Sequence, residues 1–431
     1  MNLASIVLIG GLLVLMLLSV PIIFSLGISS IASVFIDGRI SLMLFPQRIF
    51  GGLDSFPLMA IIFFLISGEF MMQGGITRRL INFVKIFFGW VRGSLSLVSF
   101  AASALFGAIS GSAPATTAAI GGIMYPEMIK DGAYPKYFTA SVQAVAGTLG
   151  TMIPPSIPLI IYGTVTNASI GNLFIATIIP GIVMMTIYML TAQFIILKKG
   201  YAKIDNKEKE KEKINVWKVL KEAIWALLAP IIILGGIYSG LFTPTESAAI
   251  SCGYALIIGL FVYKELDMKK IYKCILSSCI TSASIMLLSS TASYFGFAMT
   301  TQGIPQKITE FLLTSINSEV VFLLVANLIL IICGMFVDAT TSILLVVPLL
   351  FPAALQFGVD PVHFGIITGI NLSVGIMSPP FGICLFVANG LDRSLKLQGI
   401  YKEVIPFFIF AIVGILIITF VEPLSFILLG D

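Results

Sequence analysis

The chain has 431 residues, a formal net charge of +4 and one histidine; 58% of its residues are hydrophobic and only 11% are charged. A soluble globular protein carries about 25% charged residues, and the mean hydropathy of +1.06 agrees in predicting an all-α polytopic membrane protein. The lone His363 excludes histidine-rich metal centres and most catalytic triads, and the small, scattered charge excludes nucleic acid as a partner.

In chain order, apolar segments fall at 3–25, 54–72, 94–125, 137–165, 173–197, 223–241, 246–263, 274–300, 320–336, 340–357, 364–389 and 403–428. About 20 apolar residues suffice for one crossing of the lipid bilayer, and residues 137–197 contain no Asp, Glu, Lys or Arg at all. The first segment lacks a basic leader and a small-residue cleavage site, so it reads as a retained helix. Whether 21–36 also crosses, and so which side holds Met1, stays open. Cys252, Cys274, Cys279, Cys333 and Cys384 lie in apolar surroundings without a CxxC pair and read as small core residues.

Two intervals differ from the rest. Residues 75–92 mix Arg78, Arg79, Lys85 and Arg92 with Phe and Trp, the pattern of an amphipathic arm along a membrane surface. Residues 198–222 hold Lys198, Lys199, Lys203, Lys207, Lys209, Lys211, Lys213, Lys218 and Lys221, which read as a solvated helix or loop. Short Lys/Arg-rich loops stay in the cytoplasm, so this loop fixes the orientation. Segment 137–165 then runs outward from a cytoplasmic Lys130 and Lys136. Segment 94–125 begins and ends on the cytoplasmic side, and must enter and return as a hairpin. In the second half, 274–300 runs outward, the loop 358–363 has no Lys or Arg, and Arg393, Lys396 and Lys402 lie inside. The hairpin 320–357 therefore opens outside.

Short motifs recur at nearly one offset. Ala115-Thr116-Thr117 returns as Ala339-Thr340-Thr341, offset 224; Gly150-x-Met152-x-Pro154-Pro155 returns as Gly375-x-Met377-x-Pro379-Pro380, offset 225; Gly75 pairs with Gly303, offset 228. Together with the opposite orientations, this predicts an inverted-topology repeat with two re-entrant helical hairpins and two broken helices, the organisation of a secondary transporter. The division is 1–53, N-terminal scaffold helices; 54–197, repeat 1, with arm 75–92, hairpin 94–130 and broken helix 137–165; 198–222, the basic cytoplasmic segment; 223–271, central scaffold helices; and 272–428, repeat 2, with arm 303–316, hairpin 320–357 and broken helix 364–389.

A Pro-Pro pair cannot continue a helix, and the carbonyls it frees must meet something polar at membrane depth. The neighbours are small or hydroxylated: Thr148, Gly150, Thr151 and Ser156 in one copy, Ser373, Gly375 and Ser378 in the other. The hairpin tips match in character, with Ser110, Gly111, Ser112, Thr116 and Thr117 in the first and Gly334, Asp338, Thr340 and Thr341 in the second. Carbonyls and hydroxyls without a cage of carboxylates suit a monovalent cation such as Na⁺, and half-helix N-termini beside them attract an anion. The plainer reading is that these are close-packing positions between helices. Asp338 is the one charged side chain between Val320 and Val359; it either orients a cation or substrate or caps backbone N–H groups at the tip. Glu69 reads as an interface anchor, Glu246 as a helix-start carboxylate, and Arg48 and Asp54 as interfacial groups.

With these residues in place, a resemblance is plain. FGAISGSAPATTAAIGGIMYPEM (106–128), GTLGTMIPPSIPLIIYG (147–163) and GIMSPPFGICLFVANG (375–390) resemble the large membrane subunit of tripartite ATP-independent periplasmic (TRAP) transporters; GLDSFPLMAIIFFLISGEFM (52–71) and GGITRRL (74–80) fit it too. The resemblance covers essentially the whole chain. It implies an elevator-type secondary transporter in the bacterial inner membrane, importing a small organic acid by Na⁺ coupling. It further implies two partners, a soluble periplasmic substrate-binding protein and a small four-helix membrane subunit, here expected as a separate chain. No cofactor is implied beyond Na⁺. Residue by residue, a first Na⁺ cluster falls on Ser110, Gly111, Ser112, Thr148, Gly150 and Pro154, and a second on Gly334, Asp338, Thr341, Gly375, Met377 and Pro379. Substrate contacts fall on Thr116, Thr117, Pro155, Ser156, Asp338 and Ser378. The broken helices carry no Lys or Arg, so dipoles, hydroxyls and bound Na⁺ must hold the anion. The rival expectation is a self-sufficient Na⁺- or H⁺-coupled carboxylate transporter without a binding protein. An intramembrane hydrolase lacks a paired base, and a primary pump lacks a phosphate loop.

Overall fold

The computed structural model describes residues 3–89, 91–202 and 216–429, and among them every regular element is helical. Lys203, Lys207, Lys209, Lys211 and Lys213 of the basic segment lie outside the described residues. Among the described residues, seven helices are long and apolar enough to cross a membrane, or up to nine when two bent pairs are each counted as one span. Large apolar side chains stand exposed around the periphery, Leu17 at 84%, Phe35 at 71% and Phe261 at 70%. Such a surface is stable against acyl chains rather than water. The chain is a polytopic helical membrane protein.

The N-terminal part comprises α1 (Leu3–Leu17), α2 (Ile22–Asp37), α3 (Leu44–Leu53) and α4 (Leu58–Gln73). Pro21 separates α1 from α2, which folds back on it so that the Ser33 hydroxyl donates to Ala4 O at 2.8 Å. Between α3 and α4 the chain bends by 51°. Then come α5 (Ile76–Phe88), α6 (Ser94–Ser110), α7 (Ala113–Ile129), α8 (Lys136–Met152), α9 (Ile157–Thr166), α10 (Ile170–Ala176) and α11 (Ile178–Lys199). Helices α12 (Val216–Tyr238) and α13 (Pro244–Ile257) follow, α13 running on into a π-helical turn, Ile258–Val262. Thr243 and Glu246 form a capping box at the start of α13. The remainder is α14 (Met268–Thr301), α15 (Ile304–Ser315), α16 (Glu319–Phe336), α17 (Ala339–Gln356), α18 (Pro361–Gly375), α19 (Ile383–Asn389), α20 (Leu397–Phe420) and α21 (Pro423–Phe426).

One order of elements occurs twice: a long helix, a short arm, a helical hairpin, an interrupted helix and an exit helix. Glycine opens both arms, Gly75 at φ 81° and Gly303 at φ 68°, a region that costs a residue with a Cβ. Both interrupted helices break at a cis Pro-Pro bond, Pro154-Pro155 and Pro379-Pro380. The hairpin tips correct one sequence pairing. Helix α7 starts at Ala113 and α17 at Ala339, so the tip register is 226, and Thr116 holds the position of Ser342 rather than Thr340. The Ala-Thr-Thr match at 224 is out of register because the triplet begins at the third residue of α7 and at the first residue of α17. A second difference concerns His363. Asp360 caps α18, and His363 is buried in its first turn with Nδ1 2.8 Å from Ser425 Oγ and Nε2 3.2 Å from Thr419 O, instead of lying in a loop.

Helices α8 and α18 form the centre. Every residue from Phe138 to Met152, and from His363 to Gly375, is buried. Two cores flank them, one built on α2, α4, α9 and α14 to α18, the other on α6 to α8, α11 and α18 to α20. In lipid, such contact relies on close packing and interhelical hydrogen bonds rather than water exclusion, which explains the glycine and hydroxyl content of both helices. The arm α5 buries Ile76, Leu80, Ile81 and Val84 against α6 and α12. Arg79 pairs with Glu265 at 2.6 Å and lies 3.7 Å from the Tyr263 ring centre, while Lys85 pairs with Glu127.

Candidate functional site

Both hairpin tips and both helix breaks meet at one cavity of about 180 Å³. Ala113, Ile157, Ala339 and Ile383 all line it, and each is the first residue of its helix, α7, α9, α17 and α19. Four helix N-termini therefore face one space. The polar part of the wall is Ser112, Thr151, Thr281, Asp338 and Thr340; Leu65, Ile285 and Ile376 contribute apolar surface. Among the described residues the wall carries no Lys, Arg or His. The partial positive charge at each helix start makes this a place for an anionic group; Ile157 N and Thr341 N are already paired, and Pro114 and Pro158 bring no N–H.

Tip 1 is a two-residue turn. Gly111 adopts φ 61° and Ser112 is extended, so α6 ends and α7 begins within one step. Gly111 O accepts a hydrogen bond from Ile157 N at 3.3 Å, which docks the tip on the start of α9. Ser110 Oγ and Thr116 Oγ1 lie 3.0 Å apart, and Thr116 donates to Ser112 O at 2.8 Å. Thr117 donates to Ala113 O at 2.9 Å. Of the first-tip residues singled out in the sequence, Gly111 and Ser112 line the cavity; Ser110, Thr116 and Thr117 are buried behind it. Thr148 donates to Val145 O and Ser156 to Thr151 O, each at 2.7 Å. Pro154 and Pro155 lack N–H groups, leaving the carbonyls of Gly150 and Thr151 without a helical donor.

Tip 2 is set by Asp338, which caps α17: its carboxylate accepts from Thr341 N at 3.1 Å and from the Thr341 hydroxyl. It also lines the cavity, so capping and cavity exposure coexist in one side chain. Thr341, Gly375, Met377 and Ser378 are fully buried, and Ser378 donates to Val374 O at 2.7 Å. Pro379 lies in the break beside them.

Two glycine crossings hold the hairpins against the interrupted helices. A Cβ on Gly107 would lie 2.7 Å from Gly150 Cα, and one on Gly375 would lie 2.6 Å from Gly334 Cα. Gly107 was not legible as a partner of Gly150, because no punctuation marks it inside α6. Thr281 is the other contributor that the sequence hid; it comes from α14, far from either motif. Thr151 Oγ1 and Ser373 Oγ are 2.8 Å apart and join α8 to α18.

A larger cavity of about 470 Å³ opens towards the C-terminal half of α14, lined by Ser55, Thr164, Ser289, Ser293 and Thr300. Outside both cavities, Asp392 accepts from Tyr125 Oη at 3.1 Å and faces Lys136 Nζ at 3.4 Å. Hydrogen bonds from Ser394 hold its carboxyl at about 2, below the ordinary carboxylate range. Among the described residues no group of three or more His, Cys, Asp or Glu could hold a metal ion. Oxygen ligation by carbonyls and hydroxyls is what the tips offer.

Comparison with known proteins fits this geometry. The sequence matches the family described as "Tripartite ATP-independent periplasmic transporter, DctM component" over residues 9–424. It is 39% identical over 425 residues to the isethionate TRAP transporter permease protein DctMQ of Oleidesulfovibrio alaskensis, spanning 98% of this chain and 66% of that protein. It is 35% identical over 436 residues to the C4-dicarboxylate TRAP transporter large permease protein DctM of Rhodobacter capsulatus, covering 98% of each. With the sialic acid TRAP transporter large permease protein SiaM of Vibrio cholerae it shares 36% identity over 402 residues, 93% of each chain. Among solved structures, the YdaH transporter of Alcanivorax borkumensis has a like fold, with a TM-score of 0.61 at 14% identity over 89% of this chain and 90% of that one. The chain belongs to the TRAP transporter family, as a large permease component in the bacterial inner membrane.

Proposed function

We propose that this permease imports a small organic acid by Na⁺ coupling, receiving it from a soluble periplasmic binding protein and working with a small membrane subunit. The observation that carries the reading is the convergence of four helix N-termini on one 180 Å³ cavity. Relatives named for C4-dicarboxylates, sialic acid and isethionate share one chemistry, a compact organic anion, and that is what such a cavity holds. The aligned dipoles attract the acid group. Hydroxyls of Ser112 and Thr340 donate to it, Thr151 lines the wall beside it, and Asp338 meets it across a bound Na⁺. Thr116, Thr117, Pro155, Ser156 and Ser378 shape the tips and breaks behind.

Coupling Na⁺ ions would sit where each hairpin crosses its interrupted helix. Ser110, Gly111, Ser112, Thr148, Gly150 and Pro154 surround one position, and Gly334, Asp338, Thr341, Gly375, Met377 and Pro379 the other. The residues fit a hard monovalent cation, because proline frees carbonyl oxygens there and the side chains add hydroxyls and one carboxylate. With inverted repeats and re-entrant hairpins, the two hairpins and broken helices move as one elevator body past the remaining helices, exposing the cavity to each side in turn.

The test is uptake by proteoliposomes containing the permease and its small subunit, with an inward Na⁺ gradient and labelled C4-dicarboxylates, sialic acids and sugar acids. Uptake that needs both the gradient and added binding protein supports the proposal. Uptake by the permease alone returns it to the self-sufficient class.

A further inference from the structure

Beside the tip cavity lies a smaller one of about 40 Å³, separated from it by Leu65 and Thr281, which line both. Space for a single water needs about 10–15 Å³ on this measure, so it admits an ion with a water and little more. Three separate pieces of the fold build it: Glu69 from α4, Ser278 and Thr281 from α14, and Ser110 from the first hairpin. Gly68 permits the approach, since a Cβ there would lie 3.3 Å from Ser110 Cα.

Two groups here have unmet needs. Glu69 is half-buried, and no ion pair reaches its carboxylate among the described residues. Ser278 is 1% exposed, lines the cavity, and its Oγ has no hydrogen-bond partner. A carboxylate withdrawn from water costs several kcal/mol unless a counter-charge accompanies it, and a buried hydroxyl left unpaired adds to that cost. The missing partner is small, cationic and served by oxygen donors. A divalent ion seeks six or more oxygens and usually more than one carboxylate; one carboxylate with three hydroxyls matches a monovalent ion.

We propose that Glu69, Ser278 and Thr281 bind a Na⁺ ion at the seam between α4, α14 and the first hairpin, with Ser110, which borders the first tip cluster as well, completing the oxygen set. This rests on the Na⁺-coupled reading and adds a mechanical consequence. The site is complete only while the hairpin lies against α4 and α14, so the ion fastens the hairpin in this position, and its release accompanies movement.

The test is thermal melting of the purified permease with its small subunit, titrated with NaCl against KCl and choline chloride at constant ionic strength. The wild type is stabilised by Na⁺ alone. Glu69→Gln raises the half-saturating Na⁺ concentration at least tenfold, and Ser278→Ala at least threefold, while Asp338→Asn leaves the Glu69-dependent part in place. Should Glu69→Gln fail to fold, Ser278→Ala carries the test, because it removes one oxygen and introduces no charge. Wild-type Na⁺ dependence in both variants overturns the seam site and leaves the Na⁺-coupled reading standing. A wild type indifferent to Na⁺ overturns both.

Discussion

Thr151 and Ser373 share a hydrogen bond of 2.8 Å that ties the two interrupted helices together beside their breaks. Ser373 Oγ also lies 2.6 Å from Gly369 O and Thr151 Oγ1 3.0 Å from Thr148 O; each hydroxyl has one proton, so one of the pair donates across the contact and the other back to its own helix. Thr151 faces the tip cavity and Ser373 does not. Ser373→Ala therefore costs about 0.5–1.5 kcal/mol of stability, seen as a lower melting temperature with substrate affinity unchanged. Thr151→Val lowers stability similarly and also weakens substrate binding severalfold.

The glycine crossings yield a sharper contrast. Gly107→Ala, Gly150→Ala, Gly334→Ala and Gly375→Ala each place a methyl against backbone or side-chain atoms within 3.0 Å. Overpacking of this kind costs about 1–3 kcal/mol, and in these positions it splays a hairpin from its interrupted helix. Each variant is expected to melt lower and lose uptake. Gly122→Ala, in the same hairpin with nothing within 4 Å of its added Cβ, is expected to match the wild type in both measurements.

Asp338 separates capping from charge. Asparagine is an equally good N-cap, whereas alanine costs about 0.5–2 kcal/mol at such a position. Asp338→Asn should keep the melting temperature within a few degrees and lose Na⁺ stimulation of uptake; Asp338→Ala should lose both. Equal Na⁺ stimulation in wild type and Asp338→Asn would confine this residue to capping.

The Asp392 contact sets a pH dependence. Its carboxyl lies at about 2 in the fold, below its ordinary value, so its ionised form is favoured by folding. That stabilisation is fully present above the ordinary carboxylate pKa and disappears as pH falls through it towards about 2. The difference in melting temperature between wild type and Asp392→Asn should be constant above about pH 5 and shrink below it.

Much of this was legible because the informative residues act locally. Pro-Pro pairs break helices wherever they stand, and Gly111 and Asp338 turn or cap the chain by their own chemistry, so breaks and tips could be located without tertiary information. What escaped was created by packing. Thr281 reaches the cavity only because α14 passes both tips, and Gly107 matters only because α8 crosses it. The Ala-Thr-Thr pairing misled because a three-letter match does not show where its helix starts: it begins at the third residue of α7 and at the first of α17. Thr116 and Thr117 carried hydroxyls suited to a site, but these turn back to Ser112 O and Ala113 O, and Ser110 borders the smaller cavity beside the tip.

The most direct measurement fills the cavity. Thr340 lies on its wall at the start of α17, and Thr340→Phe places an aromatic ring in a space of about 180 Å³. With partners and an inward Na⁺ gradient supplied, the wild type should accumulate labelled organic acid, while Thr340→Phe should fold, melt close to the wild type and transport nothing. Wild-type uptake by that folded variant would place the substrate elsewhere and contradict the assignment of the cavity.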